Sequence, residues 1–330
     1  MPTARRARIG VVGLGRIGRL HADNLATRVP GVVLAAVADA LEPLARSIAA
    51  RHRVPWANSI DDLLGDPGLD GVVIAAPSAL HPELVKAAAE AGTHVFCEKP
   101  LGLDAAACAD AVEAAEAAGV SLQVGFQRRF DPDWRELRRA LEAGEVGELR
   151  LLRCSHRNAE PPPAGAPLGD VFADVAIHDL DAARWLGGEV AEVQATEAGE
   201  GNAAVVTLRL ASGALAAIDV NRAARYGFEC SAEVVGGDGT IRCGYLHRGG
   251  GAELLRDGSV TAPLARHHAE RHAAAYVREL EHFGAVAAGR AEPVPDGRDA
   301  LAALRLAAVA RRSAAVGARL AVEEPVAHAP

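Results

Sequence analysis

The 330-residue sequence predicts an α/β protein in two parts: a parallel sheet wrapped by helices over residues 1–125, then an α+β domain with a mostly antiparallel sheet over residues 126–330. Three observations carry this. In the first part, short and nearly continuous apolar runs alternate with helical segments, as strands buried on both faces do. A glycine-rich turn joins the first run to the first helix. From about residue 126 the alternation gives way to adjacent strand-like segments separated by tight-turn signals.

In chain order, RIGVVGLG is an apolar run ending in glycines, and IGRLHADNLATRV has helical spacing. VVLAAVAD is a second strand and LEPLARSIAARH a second helix. GVVIAAPS, THVFCEKP and SLQVGF are three further strands. Between them, HPELVKAAAEAG and LDAAACADAVEAAEAAG are helices stopped by glycine. Ligands of such sheets bind beyond the carboxyl ends of the strands.

The first of those ends carries GLGRIG, with Gly13, Gly15 and Gly18. Gly13 permits the tight turn, Gly15 lets a pyrophosphate approach the backbone, and Gly18 lets helix and strand pack closely. Arg16 and Ile17 open the helix, whose free amides suit phosphate. Asp39 ends the next strand about 20 residues later, the offset of a ribose-binding carboxylate; its other reading is a strand-end turn residue. The motif in this context predicts a bound dinucleotide. No arginine directly follows Asp39 in ADALEP, which favours NAD over NADP.

In the second part, DPDWRELRRALEAG reads as a connecting helix, GELRLLRCSHRN as a strand, PPPAGAP as a loop and DVFADVAIHDLDAARWLGG as a helix stopped by Gly187 and Gly188. Strands follow in VAEVQATEA, NAAVVTLRLASGALAAIDVNR and YGFECSAEVVGGDGTIRCGYL, with ASGA and GGDG as hairpin turns. HHAERHAAAYVRELEHFGAVAAG and GRDALAALRLAAVARRSAAVG are closing helices, able to pack back on the first domain.

Two local patterns call for a use. Lys99 sits between an acid and a proline in CEKPLG, at the inner end of a buried strand, where a cation costs free energy unless it is paired or used. Asp174, His178 and Asp181 share one helix face. That stripe reads either as a solvated face or as a carboxylate and an imidazole aimed into a cleft; histidine suits proton transfer near neutrality. His268 and His272 lie one turn apart without the H-E-x-x-H order and read as an exposed helix start, so no metal is expected.

Bulk composition narrows the class. Half the chain is hydrophobic, enough for a full core, and the net charge of −8 is spread along it. No basic run argues for nucleic acid or a lipid surface. The five cysteines form no C-x-x-C pair. The start, MPTARRARIG, lacks the apolar stretch of a secretory signal, and no run of ~18 apolar residues spans a membrane. A cytoplasmic, reduced protein is the expectation.

GVVGLGRIGRLHADNL, AAPSALHPELVKAAAEAGTHVFCEKPLG, GFQRRFDPDW, ADVAIHDLDAARWL and AEVVGGDGTI, in that order, resemble the Gfo/Idh/MocA family of nicotinamide-dependent oxidoreductases. Within it, GFQRRFD, SHRN and ADVAIHDLD are most similar to inositol 2-dehydrogenases. The resemblance implies an NAD-binding Rossmann domain over 1–125 and, over 126–330, a substrate-binding domain with a large open mixed sheet that builds a homo-oligomer, a dimer or tetramer. It implies oxidation of a secondary ring hydroxyl of a cyclic polyol, myo-inositol or a stereoisomer, with a sugar or aminocyclitol as alternative substrates and a catalytically silent nicotinamide sensor as the alternative role. Lys99, Asp174 and His178 match the catalytic positions: His178 as general base, Asp174 orienting it or an adjacent hydroxyl, Lys99 stabilising the developing alkoxide. The Lys99–Pro100 bond is expected to be cis. Ala76, Pro77, Ser78 and His81 match the loop beside the nicotinamide ribose, with a plain strand-to-helix turn as their other reading; Glu98 and Lys99 complete the cofactor contacts, with a salt bridge to a neighbour as the other reading of Glu98. Gln127, Arg128, His156, Asn158 and Tyr226 join the catalytic three on the substrate side, with Tyr245 a further hydroxyl partner; a structural salt bridge or a strand-edge polar role is the other reading of Arg128, His156 and Asn158. Gln127 and the proline-rich stretch 159–172 depart from the inositol dehydrogenases, which bears on the substrate rather than the reaction.

Overall fold

The computed structural model describes residues 5–161, 169–244 and 267–322. In chain order the elements are β1 (Ala7–Val12), α1 (Arg16–Thr27), β2 (Val32–Ala38), α2 (Glu42–His52), β3 (Trp56–Ala57), α3 (Ile60–Leu64), β4 (Gly71–Ile74), α4 (His81–Glu90), β5 (His94–Glu98), α5 (Ala105–Ala117), β6 (Leu122–Gly125), α6 (Pro132–Glu142), β7 (Leu149–Arg157), α7 (Ile177–Gly187), β8 (Val190–Ala198), β9 (Ala203–Leu210), β10 (Leu215–Asn221), β11 (Glu229–Gly236), β12 (Thr240–Cys243), α8 (His268–Arg271), α9 (Ala273–Ala287), α10 (Gly297–Val316) and β13 (Leu320–Ala321). They form two compact units, Met1–Phe130 with His272–Leu301, and Asp131–Arg271 with Ala302–Pro330.

The first unit holds six parallel strands in the order β3-β2-β1-β4-β5-β6. The order reverses between β1 and β4, which places a crevice at the carboxyl ends of those two strands. β4 is buried at every residue, as a central parallel strand covered on both faces must be. One face packs against α1, α2 and α9 through Leu25, Ile48, Leu280 and Phe283. On the other side, α4 lies against α5 and α3. Asp104 caps α5 by accepting from the Ala107 amide at 2.8 Å. The hydrophobic pattern does not predict β3 or α3, because two and five residues are too short to show a period.

The second unit holds a seven-stranded sheet in the order β12-β11-β7-β10-β9-β8-β13. It is mostly antiparallel, as expected, with the single parallel pair β7–β10. β10 and β11 are neighbours in sequence but not in space, because β7 lies between them. One face carries the core: Ala204, Val206, Leu208 and Leu210 of β9 point inward with Trp134, Leu137, Leu180 and Leu306. The opposite side chains of β9, including Val205 and Arg209, point out, and Val205 is 53% exposed.

The helix expected over 170–188 is interrupted in type. A π-helical turn, Phe172–Ala176, precedes α7. Such turns place i→i+5 hydrogen bonds within a helix and often sit at functional sites. The long helix expected from residue 267 breaks at His272, between α8 and α9. His272 is 1% exposed, so it is not part of an exposed helix start.

Candidate active site

In the first unit the glycine motif is built as its spacing requires. Gly13 has φ +84°, and a Cβ there would lie 2.5 Å from the Ala76 amide nitrogen. A Cβ on Gly18 would lie 1.8 Å from the Gly13 carbonyl oxygen, so only glycine brings α1 this close to the turn. A Cβ on Gly15 would meet nothing within 4 Å. Gly15 is the N-cap of α1, supplies no side-chain cap, and no acid occupies the first turn. Arg16 and Ile17 begin that turn. No side-chain cap therefore occupies its amides and the space beside Gly15 is open, which fits a pyrophosphate.

Asp39 is tied to the same turn. One carboxylate oxygen accepts from the Leu14 amide at 2.7 Å and the other from the Leu41 amide at 2.8 Å. Each oxygen keeps a second acceptor position for a ribose hydroxyl. The strand-end turn reading and the ribose reading are thus compatible: the same carboxylate anchors the motif and faces its mouth.

After β4, Ala76 and Pro77 lead into a 3₁₀ turn, Ser78–Leu80. His81 lies beneath it at 1% exposure, with Nδ1 2.8 Å from the Pro100 carbonyl and Nε2 2.8 Å from the Ala76 carbonyl. Both ring nitrogens are spent on backbone, so His81 shapes the loop rather than meeting a ligand. Burial pushes its pKa below the ordinary imidazole value, although both carbonyls favour the protonated ring. His81 thereby joins the 76–78 loop to the segment after β5, where the Lys99–Pro100 bond is cis.

Glu98 ends β5 and is buried. Its Oε1 lies 2.6 Å from Nε2 of His21, and its Oε2 accepts from the Lys99 backbone amide at 3.1 Å. Each oxygen thus has one partner inside the protein, the neighbour pairing that is the other reading of Glu98, and keeps a further acceptor position. Lys99 itself is half-buried. Gln127 and Arg128 lie in a 3₁₀ turn after β6 and are 4% and 2% exposed. Among the described residues, His21, Glu98 and Glu279 alone make a cluster of metal-ligand type; it is considered below.

In the second unit, the first turns of α7 are buried, while Arg184, Trp185 and Gly187 near its end are partly exposed. His178 is 7% exposed, Asp179 0% and Asp181 1%. This overturns the solvated-face reading of the Asp174–His178–Asp181 stripe for His178 and Asp181, which are buried, whereas Asp174 is partly exposed. The His178 ring lies 6.0 Å from that of His156 on β7. His156 is 3.4 Å from an Asp179 carboxylate oxygen and packs edge-on against Phe228 at 5.4 Å. Asp174, in the π turn, is 3.5 Å from the Arg222 guanidinium, which also donates to the Gly169 and Gly201 carbonyls. Asn158 follows β7 and bonds through its backbone to Asn221 and Ala224.

Tyr226 donates its hydroxyl to Glu229, a short contact, and burial together with that carboxylate raises its pKa. Its donor is committed there, and its oxygen keeps an acceptor position. Tyr245 and residues 162–168 of the proline-rich stretch lie outside the described residues. Sequence reasoning missed His21, Asp179 and Arg222. Asp179 carried a signal: it adjoins His178 on a helix whose apolar positions already point several ways.

Residues 7–126 match the family model GFO_IDH_MocA, an oxidoreductase family with an NAD-binding Rossmann fold, and residues 134–242 match the GFO/IDH/MocA C-terminal domain. The chain is 36% identical over 320 residues to the myo-inositol 2-dehydrogenase of Thermotoga maritima, covering 93% of this chain and 96% of that one. It is 34% identical over 322 residues to the scyllo-inositol 2-dehydrogenase (NAD(+)) of Bacillus subtilis, covering 93% and 94%. The crystal structure of scyllo-inositol dehydrogenase from Lactobacillus casei with bound NAD(H) and scyllo-inositol superposes with a TM-score of 0.85 at 25% identity, covering 96% of this chain and 99% of that one.

Proposed function

The chain belongs to the Gfo/Idh/MocA oxidoreductases, and from that premise we propose that it oxidises a secondary ring hydroxyl of an inositol, myo-inositol or a stereoisomer, to the ketone with NAD. The observation that carries the reading is the buried polar helix: α7 holds His178, Asp179 and Asp181 inside the fold, where a polar group is expensive unless it is paired or used, with the partly exposed Asp174 on the π turn before it.

NAD is the hydride acceptor when bound. Gly13, Gly15 and Gly18 with the opening amides of α1 hold its pyrophosphate, Asp39 its adenosine ribose, and the Ala76–Ser78 loop borders the nicotinamide ribose. His178 takes the proton from the reacting hydroxyl. Asp174, steadied by Arg222, orients that imidazole or accepts from a neighbouring hydroxyl. His156, held by Asp179, and Asn158, Gln127 and Arg128 complete the polyol contacts. Lys99 donates to the reacting oxygen and offsets the charge that grows on it.

The protein acts in the cytoplasm as a homotetramer built on the outward face of the second sheet. Arg153, Val205, Arg209 and Leu215 on that face or its rim are exposed in one copy. No helix among the described residues is long and apolar enough to cross a membrane.

A panel of inositols, hexoses and aminocyclitols with NAD, followed by absorbance of the reduced cofactor, tests the substrate class. Turnover is expected with inositols first. Turnover confined to sugars or aminocyclitols would move the assignment to those substrates, and NAD binding with no turnover anywhere would favour a sensor. Cofactor choice is tested separately. Asp39→Ala should weaken NAD use at least tenfold, because it removes the ribose acceptor and also frees the Leu14 amide, while NADP use falls far less. Equal loss with both cofactors would reject the ribose assignment.

A further inference from the structure

The buried cluster at the end of β5 has a member that the proposed chemistry leaves unused. Glu279, on α9, is 0% exposed, and neither of its carboxyl oxygens has a hydrogen-bond partner among the described residues. Ligand-type atoms of Glu279, Glu98 and His21 all lie within 4.8 Å of one another. A carboxylate in that position would be an uncompensated charge in an apolar interior, beside a second carboxylate.

The partners of Glu98 decide which of the two acids is ionised. Glu98 accepts from His21 on one oxygen and from the Lys99 amide on the other, so it is arranged as a carboxylate with two donors. Nδ1 of His21 is buried with no partner, which fits a neutral ring carrying its proton on Nε2, toward Glu98. No positive charge from His21 is then available to Glu279. The other ionisable groups around this cluster are Tyr276 on the same helix, and Arg16 and Arg128, whose charges act on Tyr276. Gln123 is committed to the Glu279 backbone carbonyl and to His282. Burial first, and the charge of Glu98 second, hold the Glu279 carboxyl well above the ordinary range. A neutral acid carries one hydroxyl donor, and the nearest charged acceptor is Glu98.

We propose that Glu279 is a positioning residue for the reaction: a protonated acid, set within 4.8 Å of the Glu98 carboxylate, whose hydroxyl turns to that carboxylate and so fixes the group on which the Lys99 backbone rests. Helix α9 thereby reaches the residue that meets substrate from some 180 positions further along the chain. The His21–Glu98 contact of 2.6 Å is a charge-assisted hydrogen bond, with its proton where a metal ion would need a lone pair. On this assignment the cluster acts as a proton-sharing group. This role rests on the assignment of Lys99 above.

Two measurements on the full-length protein test it. The first is thermal unfolding against pH for the wild type, Glu279→Gln and Glu279→Met. An acid that stays protonated in the folded state but ionises at ordinary pH when unfolded costs stability progressively as pH rises above the ordinary carboxyl range, until its folded value is reached. The wild-type midpoint should therefore fall between pH 5 and 8 relative to both variants, which lack the titrating group. Parallel curves would overturn the proposal. The second is steady-state kinetics. Glu279→Met keeps the bulk and loses the donor; kcat should fall about tenfold with KM for NAD changed less than twofold, and Glu279→Gln, which keeps a donor, should recover most of the loss. Unchanged kcat in the methionine variant, or a glutamine variant as slow as methionine, would overturn it. So would stoichiometric zinc or manganese in the purified protein whose removal by chelator lowers the unfolding midpoint. If the wild type turns over no polyol, the assignment of Lys99 fails instead, and the unfolding curves still judge the acid pair.

Discussion

Replacing Lys99 by methionine is expected to lower kcat by about 10²–10³-fold while NAD still binds, because a single preorganised donor to a developing oxyanion is worth that much. Methionine keeps the length of the side chain and removes only the ammonium. Position matters as much as charge. The Lys99 amide is fixed on Glu98, Pro100 is held through its carbonyl by His81, and the same imidazole holds the loop after β4. The backbone on both sides of Lys99 is therefore tied down before any ligand arrives. A lysine so placed should act mainly in the transition state. The substitution should then lower kcat and kcat/KM together, rather than raise KM alone. Cofactor binding followed by titration calorimetry, beside steady-state rates, separates the two. Unchanged turnover would remove Lys99 from the chemistry, and an equal loss of NAD affinity would recast it as a cofactor residue.

The sheet of the first unit and its glycine turn could be read from the chain because each signal is local. Five apolar runs, the helices between them and the glycines that end those helices each need only a dozen residues to declare themselves. The second sheet was legible as strands but not as an order. Nothing in GELRLLRCSHRN says that it will lie parallel to β10 and antiparallel to β11, because pairing over 60 residues is settled by the whole core. The polar face of α7 was ambiguous for a related reason. Helical spacing shows which residues share a face, not whether that face meets water. Side-chain pairings across the chain were the least visible: Asp179 with His156, Arg222 with Asp174 and His21 with Glu98 join distant segments. Tyr226 is a local case of the same kind: its donor goes to Glu229 three residues away, which its residue type did not announce.

Replacing His178 by asparagine is expected to cost about 10²–10⁴-fold in kcat, the range for losing a positioned general base. Asparagine keeps a hydrogen-bonding side chain and cannot take the proton. The shape of the pH profile then distinguishes a base from a binding residue. With an imidazole base, kcat/KM for the polyol falls on the acid side, because the protonated ring has no lone pair for the substrate proton. In the variant that acid limb should vanish, and the residual rate should rise with hydroxide. His156 lies only 6.0 Å away and must be separated from it. Its Nδ1 faces Asp179, so an Asp179→Asn change should perturb His156 and raise KM for the polyol while leaving the acid limb in place. If His178→Asn keeps the limb and Asp179→Asn abolishes it, the base is His156. The helix would then supply the orienting groups and β7 the chemistry.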